Sequence, residues 1–160
     1  MIEPPARGGY ILHRTFGYPR DYDNTSPLYD PKFGGSFPCR HPQPGPISMK
    51  VMAGREITVK HGGWDHHLGG HCQYALSYDN GNSFIVIKTI TGSCLVEGIN
   101  QYQVLIPPNA PGAAHVVFAW GWINAEGNRQ YYMNCADIRI IARPGSPQVL
   151  EGPELLVGNL

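Results

Sequence analysis

The residues with the clearest chemical potential lie in one short segment, HGGWDHHLGGHC, which runs from His61 to Cys72. Four of the seven histidines of the chain lie between His61 and His71, together with four glycines, a tryptophan and Asp65. Imidazole is a common protein ligand for copper and zinc, and glycines let a loop bring side chains together without steric cost. The segment has two interpretations: a metal site, or a polar loop whose histidines are simply solvated.

A second candidate group is the run GNRQYYMNC at 127–135, which ends on a cysteine just before a predicted strand. Its tyrosines suit either an axial metal ligand or packing at the core and edge of a sheet. Several enzyme classes lack their motifs here: there is no G-x-S-x-G, no H-E-x-x-H, no P-loop and no dinucleotide fingerprint. The scattered Asp and Glu residues also give no local signal for the carboxylate pair of a glycoside hydrolase.

The elements that must position these residues are predicted to be short strands separated by Gly- and Pro-containing turns. Their even spacing favours an all-β, immunoglobulin- or fibronectin-like β-sandwich with long loops and two disulfides, although a barrel has a similar pattern. Asp79–Asn82 has the residues of a hairpin turn. The predicted strands cover 47–52, 56–60, 73–78, 84–90, 102–106, 115–124 and 136–142.

The chain length predicts one domain over residues 1–160. Residues 1–46 have no sustained period, so we expect an ordered loop that wraps around the core and is held by Cys39. Residues 47–142 form the predicted sandwich core. Residues 143–160 form an extension that ends in an apolar patch, either packed on the core or available as a partner-binding strand.

Composition narrows the choice of partners and of compartment. Twelve basic and twelve acidic residues balance, which argues against nucleic acid and anionic membranes and favours a neutral polymer or a small molecule. The longest apolar run is too short to cross a bilayer.

Four cysteines without a C-x-x-C pair predict two disulfides, and disulfides indicate secretion to the extracellular space. Asn24 in Asn-Thr-Ser is a possible glycan acceptor there. The first residues contain no apolar signal segment, so we expect an upstream segment that is removed.

Several motifs together resemble one known family. HLGGHCQYALSYDNGNSFIVIKTITGSC is followed by VLIPPNAPGAAHVVFAWGWINAEGNRQYYMNCADIRI, and both are preceded by DYDNTSPL and the FPC around Cys39. These stretches resemble the chitin-active fungal lytic polysaccharide monooxygenases of auxiliary-activity family eleven, over about half the chain. The resemblance implies a secreted copper enzyme that cleaves chitin or a related β-linked polysaccharide by oxidation.

The resemblance also implies roles for individual residues. The disulfides would be Cys39–Cys135 and Cys72–Cys94. Copper in this family is held by a histidine brace, in which an N-terminal histidine supplies its amino nitrogen and its imidazole and a second histidine completes the set. His67 matches that second histidine, Tyr132 matches the axial tyrosine, and Gln130 replaces a glutamate that hydrogen-bonds beside the site. His66 and Trp64 would then be neighbours that contact substrate, with Trp64 stacking on a sugar ring.

One departure from the family divides the functional hypotheses. The sequence begins MIEPP and has no histidine at its first position, and His13 cannot substitute because its backbone nitrogen is an amide. The first hypothesis is a copper monooxygenase with a histidine ahead of Met1. The second is a non-catalytic relative that binds a cell-wall polymer or self-assembles as an extracellular structural protein, using its apolar tail and aromatic N-terminal segment.

Overall fold

The fold is built from seven β-strands and one short α-helix. The computed structural model describes residues 1–28, 35–41, 43–63, 65–147 and 149–158. No helix in this part of the chain is long and apolar enough to cross a membrane. The elements are α1 Tyr10–Phe16, β1 Met49–Met52, β2 Glu56–Lys60, β3 Gly70–Ser77, β4 Ile85–Ile90, β5 Gln101–Leu105, β6 Ala113–Asn124 and β7 Tyr131–Ile141.

Two sheets form the sandwich. One has five strands in the order β1-β7-β6-β3-β4, and the other pairs β2 with β5. β1 runs parallel to β7, whereas the remaining neighbours in both sheets are antiparallel. The predicted all-β sandwich is therefore confirmed, with each of the seven predicted strands present. The largest difference in bounds is at β7, which begins at Tyr131 rather than at residue 136.

The central strand β6 is buried on both faces, which explains its almost continuous apolar sequence. Phe118, Trp120 and Trp122 lie in the core between the two sheets. Val117 and Ala119 alternate with them and pack on the opposite face of the large sheet, together with Leu28 and other buried residues. The second core is covered by the N-terminal segment and by part of the C-terminal extension.

The N-terminal segment is fixed to the sandwich by a disulfide and by a buried ion pair. Cys39 is bonded to Cys135 of β7. The guanidinium of Arg7 donates two hydrogen bonds to the carboxylate of Asp137, at 2.8 and 2.6 Å, and both side chains are almost completely buried. The expectation of an irregular loop over residues 1–46 was incomplete, because α1 forms within it.

The helix α1 is short and has few of the sequence signals of a helix. It lies between Gly9 and Gly17, and Gly17 adopts a left-handed conformation (φ 69°) while donating its backbone N–H to the carbonyl of His13. Leu12 is the buried residue of the helix, so a single side chain anchors it. With no repeated apolar face, the helix has no 3.6-residue pattern to detect.

The C-terminal extension packs on the edge of the large sheet. Glu154 forms a bridge with Ile85 of β4, and the backbone N–H of Leu155 donates to the carbonyl of Phe84 at 3.2 Å. Leu155 packs against the second core. Of the two predicted possibilities for this segment, the packed extension is the one observed.

Candidate functional site

The histidine-rich segment changes from loop to strand within its own length. Residues 67 to 70 all have positive φ, so the chain turns sharply just before β3 begins at Gly70. His71 and Cys72 therefore belong to the strand and not to the predicted loop. A Cβ atom at Gly70 would lie 2.1 Å from the carbonyl oxygen of Ile123, so only glycine allows this close approach of the two backbones.

The turn is fastened to two neighbouring parts of the chain. The backbone N–H of Glu126 donates to the carbonyl of His67 at 3.0 Å, and the N–H of Ala125 donates to the carbonyl of Gly69 at 2.8 Å. The disulfide between Cys72 and Cys94 closes the other side. These contacts fix the backbone that presents His67.

His67 and Tyr132 meet at one end of the sandwich. The Nε2 atom of His67 lies 3.3 Å from the hydroxyl oxygen of Tyr132. The same hydroxyl lies 3.3 Å from the side-chain carbonyl oxygen of Gln130, to which it donates. A carboxylate oxygen of Asp65 lies 3.4 Å from Nε2 of His67. The structure thus groups an imidazole, a phenol, an amide and a carboxylate around one point.

Two tryptophans pack behind the side chains that surround His67. Trp122 is paired with Tyr132 across β6 and β7, and their ring centroids are 4.8 Å apart. The Trp122 ring lies 5.7 Å from that of His67, and Trp120 stacks on Trp122 at 6.0 Å. These two tryptophans were not predicted from the sequence as part of the site. Trp120 and Trp122 are two residues apart in AWGW, which indicates that they lie on the same face of a strand. This spacing does not show which face carries the site.

The environment shifts the acidity of Tyr132. Burial raises the pKa of its phenol, and the negative charge of Asp65 raises it further. Both effects oppose ionisation, so the phenol remains protonated at neutral pH and can donate to Gln130.

The other histidines near this end take different positions. His61 is buried, packs on Trp120 at 4.4 Å and lies 3.1 Å from the hydroxyl of Tyr74 through its Nε2. Burial holds the pKa of His61 well below its usual value, so it is neutral at pH 7. His71 is exposed and accepts a hydrogen bond from the backbone of Gly92.

Four more residues were singled out from the sequence. They are His66, His13, Asn24 and Trp64. His66 lines a hollow next to His67 and does not line the cavity at which His67 and Tyr132 meet. His13 lies on α1 and contacts the carbonyl of Tyr18. Asn24 is half-buried and lines the cavity at which His67 and Tyr132 meet, and its glycosylation stays a prediction. Trp64 lies outside the described residues, so its role in substrate contact also stays a prediction.

The first residues of the chain lie at the same cavity. Backbone hydrogen bonds join Ile2 and Glu3 to Lys60 at the end of β2. The amino group of Met1 donates to the side-chain oxygen of Asn134 at 2.6 Å. Met1, His67 and Tyr132 line one cavity of about 430 Å³, together with His61 and the two tryptophans. This position depends on pairing between distant parts of the chain, and the sequence pattern did not predict it.

The donors at this cavity match part of a copper site. His67 supplies an imidazole and Tyr132 a phenol, both of which are suitable copper ligands. Within the described ranges, no group of three or more His, Cys, Asp or Glu side chains is placed to hold a metal ion. The described residues therefore include His67 and Tyr132 as candidate donors, and the N-terminal histidine that the family resemblance implies is not among them.

Comparison with known proteins identifies relatives of this chain. The chain is 39% identical over 145 residues to AA11 family lytic polysaccharide monooxygenase A of Aspergillus fumigatus, covering 88% of this chain and 64% of that protein. It is 28% identical over 154 residues to an AA11 family lytic polysaccharide monooxygenase of Aspergillus oryzae, covering 84% and 36%. AA11 family lytic polysaccharide monooxygenase B of A. fumigatus is 31% identical over 139 residues, covering 74% and 32%.

These relatives are longer than the chain, which spans less than two thirds of each of them. No family model matches the sequence. Among solved structures, the fold is similar to the crystal structure of a cellulose-active polysaccharide monooxygenase from M. thermophila. The TM-score is 0.53 at 16% identity, with 72% of this chain and 61% of that chain covered, so this likeness concerns the fold alone.

Proposed function

The chain belongs to the fungal AA11 family of lytic polysaccharide monooxygenases, and from this membership we propose that it is a secreted, copper-dependent enzyme that cleaves chitin or a related β-linked polysaccharide by oxidation. The observation that carries the proposal is the contact between His67 and Tyr132 in a cavity at one end of the sandwich. Two disulfides agree with secretion.

Each residue of the site has a defined task in this proposal. His67 would hold the metal through Nε2, and Tyr132 would contribute its phenol oxygen beside it. Gln130 accepts a hydrogen bond from Tyr132 and so orients its phenol. Bound copper would supply the redox chemistry by which oxygen or peroxide removes hydrogen from a carbon of the glycosidic linkage. Trp122 packs on the rings of His67 and Tyr132, and Trp120 stacks on Trp122 and excludes water on that side.

The remaining ligands of the histidine brace, an amine and a second imidazole, are assigned to a histidine directly ahead of Met1 in the mature protein. Met1 lies in the same cavity as His67 and Tyr132, held there by the pairing of Ile2 and Glu3 with Lys60. A preceding residue would therefore be tethered next to His67. In this proposal the free amine and the imidazole of such a residue would hold the metal together with His67.

The alternative is a non-catalytic relative that binds a cell-wall polymer or self-assembles. Two observations favour it: the incomplete donor set among the described residues, and the amide of Gln130 at the position where the resemblance implies a glutamate. In that case His67 would bind copper only weakly, together with other nearby histidines, and no oxidative cleavage would occur.

Copper titration of the mature protein secreted by its natural source separates the two possibilities. Determination of its N-terminal residue should give histidine, and the affinity for Cu²⁺ should fall by more than about a hundredfold in His67→Ala, since even the partners of metal ligands contribute 10- to 100-fold. The matched control is His71→Ala, an exposed histidine outside the cavity, which should bind copper as the wild type does. An N-terminus at Met1 or later, or equal affinities in wild type and His67→Ala, would defeat the proposal.

A further inference from the structure

A cavity of about 320 Å³ lies on the face of the large sheet that carries the second core. Gly121 and Ile123 of β6 line its base, and Leu156 of the C-terminal extension forms a wall. Of its described lining residues, only Trp122 also lines the cavity at which His67 and Tyr132 meet. The two cavities are therefore separate places on the molecule.

The hydroxyl of Tyr131 is a buried polar group at this cavity. Tyr131 is 2% exposed, and its hydroxyl oxygen has no hydrogen-bond partner among the described residues. The oxygen lies over Gly121 at the base of the cavity, since a Cβ atom at residue 121 would overlap it. Burial raises the pKa of Tyr131, so the hydroxyl keeps its proton at neutral pH. An unsatisfied buried hydroxyl is unfavourable, and a ligand that accepts its hydrogen bond would remove this cost.

The lining of the cavity carries no charge. None of its described residues is Asp, Glu, Lys or Arg. His71 accepts a hydrogen bond on Nδ1 from the backbone N–H of Gly92 at 3.2 Å, so this nitrogen is unprotonated and the ring is neutral. A charged ligand would therefore find no opposite charge here.

Hydrogen bonds hold the wall of the cavity against the sheet. The side-chain oxygen of Gln73 accepts the backbone N–H of Leu156 at 2.8 Å, and its amide nitrogen donates to the hydroxyl of Thr89 at 3.4 Å. Both polar ends of Gln73 are thus paired within the protein. The cavity is therefore already formed before a ligand binds, and the hydroxyl of Tyr131 is the buried donor that it leaves for a ligand.

We propose that this cavity binds a small, neutral, largely apolar molecule with a hydrogen-bond-accepting oxygen, of the class of aromatic ketones. The ring of the ligand packs on Ile123 and Leu156, and its oxygen accepts the hydrogen bond of Tyr131. The volume of about 320 Å³ is at the lower end of the range for small-molecule sites, which limits the ligand to one or two rings. A sugar would leave most of its hydroxyls unpaired against this apolar surface.

Titration of the isotope-labelled protein with acetophenone and with ethylbenzene, followed by NMR of the backbone amides, tests the site. The two probes have the same ring and differ in a carbonyl group that replaces a methylene group. Acetophenone should bind, and the largest shifts should be those of Gly121, Ile123 and Leu156.

Tyr131→Phe removes only the hydroxyl. It should weaken the binding of acetophenone by about two- to tenfold, the contribution of one net hydrogen bond, and leave the binding of ethylbenzene unchanged. Because the hydroxyl has no partner among the described residues, its removal should not lower the melting temperature. Tyr78→Phe is the matched control. The Tyr78 hydroxyl donates to the carbonyl of Pro111 at 3.1 Å and does not line the cavity, so this variant should lose stability and keep its affinity for both probes.

A loss of affinity in Tyr131→Phe that is confined to acetophenone supports the site. Absence of acetophenone binding to the wild type, or shifts centred on another cavity, overturns it. Losses in Tyr131→Phe that are equal for both probes, or absent for both, also overturn it, because the hydroxyl would then not donate to the ligand. Shifts of Leu156 that depend on protein concentration without a probe would assign this face to a second copy of the chain instead. None of these measurements involves copper or polysaccharide, so a negative result leaves the proposed function unchanged.

Discussion

At the residue scale, the chemistry of the site depends on the small set of polar groups around His67 and on the hydrogen bonds that fix their positions. The imidazole faces a phenol at 3.3 Å and a carboxylate at 3.4 Å, with aromatic rings behind it. A protonated Tyr132 donates its hydrogen bond to Gln130, which leaves its oxygen lone pairs directed elsewhere. The protonation state of Tyr132 therefore determines whether its hydroxyl donates to Gln130.

Removing the charge of Asp65 should lower the pKa of Tyr132. In Asp65→Asn the electrostatic contribution disappears while burial remains, so the pKa falls but stays above the usual value near 10. The measurement is a pH titration of tyrosine ring carbons by NMR, with the Tyr132 signal assigned by its absence in Tyr132→Phe. An unchanged or higher pKa in Asp65→Asn would show that this carboxylate does not act on the phenol.

The sequence identified some of these residues and not others, for a physical reason. His67, Tyr132 and Gln130 stand in motifs that resemble those of a known family, and this resemblance singled them out. Their residue types and spacing alone left a solvated loop and packing at the sheet as alternatives. Met1 reaches the cavity only because residues 2 and 3 pair with the end of β2, and Trp122 faces His67 only through the register of β6 with its neighbours. Long-range pairing of this kind leaves no local pattern in a sequence.

At the element scale, the turn between the histidine segment and β3 is the most constrained connection at the site. It needs four consecutive residues with positive φ, and it brings the backbone of Gly70 against that of Ile123. The position of His67 is thus set by backbone geometry as much as by side-chain contacts.

Gly70→Ala should destabilise the protein strongly. Its new methyl group would overlap the carbonyl oxygen of Ile123, so we expect a loss of about 3 kcal/mol or more in the free energy of unfolding. Gly92→Ala is the matched control. Gly92 also has a positive φ (75°) but has open space around it, so its substitution should cost about 1 kcal/mol. Denaturant unfolding measures both, and similar losses in the two variants would contradict the steric argument.

The strands could be predicted because the alternation of apolar and polar residues and the turn residues are local features of the sequence. The helix α1 could not be predicted in this way. Its sequence YILHRTF has one buried residue, and its end is fixed by a left-handed glycine. Such a helix is stabilised by its surroundings rather than by its own pattern. The same holds for the choice of packing for the C-terminal extension, which depends on an exposed edge of β4 that no single segment encodes.

At the scale of the whole molecule, two disulfides join parts of the chain that the sheets alone do not connect. Cys39–Cys135 ties the N-terminal segment to β7 across a sequence separation of 96 residues. Cys72–Cys94 ties the start of β3 to the segment after β4 across 22 residues. Both pairs are those that the family resemblance implies, so one fixes the covering segment and the other fixes the site.

The two disulfides should contribute unequally to stability. In the chain-entropy model, a longer closed loop removes more entropy from the unfolded state, so replacing Cys39 and Cys135 by serine should cost about 5 kcal/mol. The same change at Cys72 and Cys94 should cost about 3 kcal/mol. Unfolding in denaturant compares the double variants, and a larger loss from the shorter loop would show that native contacts, rather than chain entropy, determine the contribution.

The central claim, that this fold performs oxidative cleavage at the His67–Tyr132 cavity, is tested most directly by mass spectrometry of the soluble products released from β-chitin. The copper-loaded mature protein, supplied with a reductant and oxygen or peroxide, should release oxidised oligosaccharides. His71→Ala should do the same, and His67→Ala should release none. A wild type that releases no oxidised product from chitin or a related β-linked polysaccharide, or a His67→Ala variant that releases as much as the wild type, would contradict the claim.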